Sequence, residues 1–230
     1  MPRVALTAVF AVGCVVTAGA SRDPAVQALR FFESLARADA DDILRTLRPS
    51  QASPDDRARA IAVLPRTGEL SPDRDERAKL AKLEKILSYH GRTETFVIRL
   101  IDVPQAAVAI HQRAVLVISR PALRNLSAAE LQALVAHEIG HDYFWHDFEA
   151  ASARSDKNGL QELELKCDGI AVLTLVALQL DPVTLTDGLR KLARFNDLIG
   201  ATANADEYPS LRQRERFIEV FRMRQGTFQR

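Results

Sequence analysis

The residues whose types and spacing point to a reaction are His137-Glu138-Ile139-Gly140-His141, a match to H-E-x-x-H. On a helix, side chains four apart share a face, so His137 and His141 can offer two imidazole nitrogens to one ion. Glu138 lies beside them, placed to reach a water on that ion rather than the ion itself. Zinc lowers the pKa of such a water to about 7, and a neighbouring carboxylate then takes its proton as attack on a carbonyl begins. With His at 5 of 230 positions, a chance match anywhere in the chain has a probability below about one in a hundred. The surrounding Leu131, Leu134, Val135 and Ile139 give the apolar helical run that the motif requires.

Zinc hydrolases keep three protein ligands and one open position. The longer metzincin form would need Gly at position 144 and His at 147. The chain has Phe144 and Asp147, with His146 one residue out of register, so that form is excluded. The third ligand is therefore expected from another helix, and the segment Gln161 to Asp168 is the rich candidate downstream. Glu164 and Asp168 are four apart on one face. Glu164 can bind the metal while Asp168 accepts a proton from a ligand imidazole and fixes its tautomer. Glu162 is the rival ligand. Cys167 reads as a small buried residue rather than a donor.

The elements that must position these groups follow from periodicity. Apolar residues recur at helical spacing from Pro24 to about Leu47, a short helix runs from Asp55 to Leu64, and Ser71-Pro72-Asp73 opens a third that extends to about Tyr89. Thr93 to Ile101 and Ala114 to Ser119 are β-branched runs. Val108 to His111 can pair between them, which predicts a small antiparallel sheet. Ser127 to Glu130 has the form of a capping box for a helix reaching about His146. Further helices fit Asn158 or Gly159 to Leu180, Leu185 to Ile199, and Leu211 to Met223. The order predicts an α+β chain.

The first twenty residues stand apart. Arg3, the apolar run Val4 to Val16 and the small residues Ala18-Gly19-Ala20 have the layout of a secretory signal peptide. The apolar run is shorter than the ~20 residues of a bilayer span. A lipoprotein site at Cys14 ranks below this, because Val15-Val16 would follow the lipidated cysteine. Signal removal would leave basic and acidic residues equal at 30 each, and Cys167 as the one cysteine. No intramolecular disulfide is then available. The expected organisation is residues 1–20 as signal peptide, 21–92 as an N-terminal helical region and 93–230 as the zinc metallopeptidase domain.

HEIGH on a helix after a short β segment, then E-x-x-x-D within ELKCDGIAV, resembles the gluzincin metallopeptidases that include the HtpX-type and CAAX-prenyl-protease-type enzymes. The resemblance covers roughly Val108 to Phe217. It implies a mainly helical zincin-like fold and one zinc ion per chain, bound by His137, His141 and Glu164, with Glu138 as catalytic base and Asp168 supporting the site. Near the C-terminus the family often has a His-Pro pair followed by an Arg. Tyr208-Pro209 and Arg214 are similar to it, with Tyr208 in place of the histidine. A phenol there can donate to an oxyanion. The membrane spans of the two named enzyme types are absent, so the resemblance is to soluble, exported members. The helices before about Arg92 fall outside it.

Composition sets outer limits. The chain is 47% hydrophobic and 27% charged with a formal charge of +1, which gives a core but no global field to attract nucleic acid or an anionic membrane. The sequence thus leads to an exported, periplasmic or secreted, zinc-dependent endopeptidase acting on peptides or unfolded proteins, with no membrane span after signal removal. The alternative is a non-catalytic zinc-containing binding or chaperone-like protein, against which the intact Glu138 counts.

Overall fold

The computed structural model describes residues 23–35, 39–64, 71–201 and 208–228. The expected signal peptide and Cys14 lie outside the described residues. Side-chain caps open each of the first helices. Asp23 accepts the Ala25 N–H ahead of α1 (Pro24–Ser34), Asp39 accepts that of Asp42 ahead of α2 (Ala40–Leu47), and Ser53 accepts that of Asp56 ahead of α3 (Pro54–Val63). The helix expected to run through Tyr89 is two, α4 (Arg74–Ala81) and α5 (Glu84–Tyr89). Its cap is Asp73, in a capping box with Glu76. The Lys82 carbonyl freed at the break accepts from the Gln132 side chain at 2.8 Å.

The sheet is mixed, which corrects the antiparallel expectation. Strand β1 (Val97–Ile101) pairs in parallel with β3 (Val115–Ser119), and β2 (Val108–His111) pairs antiparallel with β3 on the other side. The reason is burial. Leu116 and Ile118 of β3 face the main core, whereas Ala114 and Val115 meet Ala60 of α3. A strand apolar on both faces takes the centre, so β2 becomes an open edge.

After β3 the chain is helical: α6 (Arg120–Asn125), α7 (Ala128–Tyr143), α8 (Trp145–Ala153), α9 (Lys157–Ala177), α10 (Val183–Leu198) and α11 (Leu211–Phe228). Ser127 and Glu130 form the expected capping box of α7. That helix stops at Tyr143, three residues early, and the turn at Phe144 leads into α8, which lines the cleft described below. The fold is α+β and mostly helical. No helix of the described residues is long and apolar enough to cross a membrane.

The N-terminal helices share the core of the motif-bearing helices. Phe32 of α1 sits so close to Gly169 of α9 that a Cβ there would lie 2.3 Å from its ring. His90, at the end of α5, is fully buried between Tyr143 (Nδ1 to Oη, 2.9 Å) and Thr174 (Nε2 to Oγ1, 3.0 Å). The Thr174 hydroxyl donates to the Ile170 carbonyl at 2.7 Å, so it accepts from Nε2–H and leaves Nδ1 to accept from Tyr143. Burial, with Arg48 and Arg92 nearby, pushes this imidazole down to about 3.

A folded-state pKa below the ordinary ~6.5 means that the unfolded chain binds the proton first between those values. The stability linked to His90 is therefore complete above about pH 6.5 and is lost as pH falls towards 3. Urea midpoints measured from pH 7 to 4 should fall more steeply for the native protein than for His90→Gln. Equal slopes would contradict this.

Candidate metal centre

Helices α7 and α9 approach closely enough to bring their side chains to one point. A Cβ on Gly140 would lie 2.7 Å from the Cys167 Cα and 2.8 Å from its Cβ, so only glycine fits at that position of HEIGH. Cys167 is fully buried in this contact, as its place in the helical period suggested.

His137 and His141 sit one turn apart with ring centroids 5.1 Å from each other. His137, Glu138 and His141 each offer a donor atom within 4.8 Å of the others, and this group can hold a metal ion. A second carboxylate faces the same histidines from α9. Glu164 is 3% exposed, with Oε2 3.5 Å from His137 Nε2 and Oε1 3.6 Å from His141 Nε2. Donors bound tetrahedrally at ~2.0–2.1 Å stand about 3.4 Å apart, close to those separations. Glu138 also contacts β2, its Oε2 accepting the Ile110 N–H at 3.0 Å. Glu162, the rival on α9, pairs with Lys166 at 2.6 Å along its own helix.

Asp168, with no exposed surface, accepts from His137 Nδ1 at 2.9 Å. That bond places a proton on Nδ1 and makes Nε2 the nitrogen turned towards Glu164. Arg214 of α11 grips the same carboxylate, with Nε 2.9 Å from Oδ2 and Nη2 2.5 Å from Oδ1. Its Nη2 also lies 3.1 Å from His137 Nδ1 and 3.4 Å from Nε2. The sequence placed Asp168 on a ligand imidazole, and His137 is the imidazole it meets.

Burial and the Arg214 cation push the His137 imidazole down, but Asp168 and Glu164 outweigh them and lift it to about 9. Burial dominates at His141 and lowers it to about 4. Burial also raises Glu138 to about 7. At Glu164 burial is overcome by the two histidines, and at Asp168 by Arg214 and His137, so both carboxyls are held below the usual range.

These groups open into a cleft of about 610 Å³. Tyr208 and Arg214 line it, as do Val108 and Ile110 of β2, Trp145 and Phe148 of α8, and Leu189 and Leu192 of α10. The β2 backbone donor and the α10 leucines were not identified from sequence. The α10 pair carries only a helical apolar period, which is indistinguishable from core. Tyr143 belongs to the buried His90 pair instead, and His146 is exposed beside Glu149. The chain matches no protein-family model and no curated protein.

Replacing Asp168 with Asn should lower metal affinity by about 10–100-fold while the protein stays folded, because the ligand ring loses its orienting carboxylate. Titration with a chromophoric zinc chelator measures this. Affinity equal to that of the native protein would remove Asp168 from the site.

Proposed function

We propose that this protein is an exported zinc-dependent endopeptidase of the gluzincin kind, with His137, His141 and Glu164 as ligands of one zinc ion and Glu138 as general base. The observation that carries this reading is the division of labour between the two carboxylates. The oxygens of Glu164 address both Nε2 atoms, whereas Glu138 reaches past them to the edge strand at the mouth of the cleft. The donor set of two imidazoles and a carboxylate suits zinc. When bound, zinc supplies a Lewis acid that polarises the scissile carbonyl and acidifies the attacking water.

The chain's own residues do the rest. Glu138 takes the proton of the attacking water and returns it to the leaving amine. Asp168 and Arg214 hold the His137 ring in its tautomer. The Tyr208 phenol, at the cleft wall, donates to the developing oxyanion. Substrate enters as an extended strand. Ser119 N–H bonds the Ala107 carbonyl at 2.9 Å, so alternation turns the backbone groups of Val108 and Ile110 away from β3 and towards the open edge. A peptide or unfolded protein segment pairs there, with its side chains against the apolar walls. Because the composition provides no strong net charge, selection rests on cleft shape.

Glu138→Gln should keep one equivalent of zinc and lower kcat for an unfolded protein or peptide by at least about 10²–10⁴-fold. Glu164→Ala should lose the metal, whereas Glu162→Ala should retain it. Elemental analysis together with peptide hydrolysis, with and without a chelator, reads each arm. Undiminished cleavage by Glu138→Gln would overturn the mechanism, and zinc retained by Glu164→Ala would overturn the ligand assignment.

A further inference from the structure

Strand β2 meets Glu138 through a backbone bond, Ile110 N–H to Oε2 at 3.0 Å, and its placement is set by clamps outside the strand. At its start, the Asn196 side chain of α10 accepts the Ala106 N–H at 2.8 Å and donates to the Ala106 carbonyl at 3.0 Å. Just past its end, Gln112 and Arg113 fill the two central positions of a turn closed by Ala114 N–H to the His111 carbonyl at 3.1 Å. Their φ values are 44° and 56°, a conformation in which Gly and Asn are the usual occupants. Neither residue favours this turn locally, so tertiary contacts must hold it.

Those contacts converge on Asp142, the residue after His141. Arg113 donates from Nε to Asp142 Oδ1 at 2.6 Å and from Nη2 to the Ser50 carbonyl. Arg92 donates from Nε to Asp142 Oδ2 at 2.8 Å and from Nη2 to the Pro49 carbonyl at 2.8 Å. Asp142 is 2% exposed, so both of its oxygens need these partners. The carboxylate belongs to the active-site helix, one guanidinium to the hairpin tip, and both arginines also hold the segment between α2 and α3.

We propose that Asp142 and Arg113 are positioning residues that fix the edge strand at its working distance from Glu138, with Asn196 as the second clamp. Arg92 and the carbonyls of Pro49 and Ser50 complete the clamp, which gives the N-terminal region a part in presenting substrate. Neither residue touches the reacting atoms. The substrate role rests on the peptidase reading of the cleft, whereas the clamp itself can be tested without it.

The variants are Arg113→Ala, Arg113→Lys and Asn196→Ala in the full chain. Amide hydrogen exchange at Ile110 should accelerate about tenfold or more in Arg113→Ala, and by clearly more than at the α9 amides, which report the general loss of stability from the unpaired Asp142 oxygen. Arg113→Lys, which restores one donor, should recover part of the protection. With an extended peptide, KM should rise about fivefold while kcat stays within about twofold and zinc content is unchanged. Asn196→Ala should act in the same direction at Ile110. Unchanged Ile110 exchange in Arg113→Ala overturns the clamp, as does equal acceleration throughout α9, which would mark a general loss of stability. Faster Ile110 exchange with an unchanged KM overturns the substrate role. If the native protein cleaves no peptide, the peptidase reading fails and the exchange result alone decides the clamp.

Discussion

The contact between Gly140 and Cys167 is the constraint on which the site depends. It lets two helix backbones meet with no side chain between them on the α7 side. Only at that separation do the oxygens of Glu164 come within 3.5 and 3.6 Å of the two histidine Nε2 atoms. One further methyl group would move α7 and α9 apart, because close-packed interiors transmit displacement rather than absorb it. A second close approach lies two residues further along α9, where Gly169 admits the Phe32 ring. The N-terminal helices thus press α9 from the side away from α7.

Around this contact the protein buries more charge than stability requires. Replacing a buried ion pair with apolar groups is often neutral or favourable, so the arrangement Arg214–Asp168–His137 is better understood by what it orients. The carboxylate accepts from Nδ1 and turns Nε2 towards Glu164, while the Arg214 cation beside the ring opposes the charging that the two carboxylates promote. Asp142 has a parallel geometry on the other side of the motif. It too is a buried carboxylate gripped by guanidinium groups, but its partners belong to the hairpin tip and the N-terminal segment. Each network starts from a helix of the site and ends in another part of the fold.

Much of this was legible in the sequence because it is local. The H-E-x-x-H spacing, the Ser127–Glu130 capping box and the four-residue offset of Glu164 and Asp168 are helix geometry written into one chain segment. Arg214 is the exception, placed by resemblance rather than by spacing. What escaped was the non-local part. The sheet order follows from the two-sided burial of β3, which depends on α3 covering it, and a strand's own pattern does not say which partner it takes. The break at Lys82 depends on Gln132, fifty residues away. Asp142 stands beside the motif but nothing in its local pattern marks it, since Arg92 and Arg113 approach it only in the fold. The cleft-lining leucines of α10 share their period with any core helix.

X-ray absorption at the zinc edge of the purified protein most directly tests the central claim, that one ion joins α7 to α9 through two imidazoles and a carboxylate. About one zinc per chain is expected, with two nitrogen and one or more oxygen neighbours near 2.0–2.2 Å and no sulfur. A sulfur neighbour at about 2.3 Å, which would have to come from Cys167, or the absence of bound zinc would contradict it.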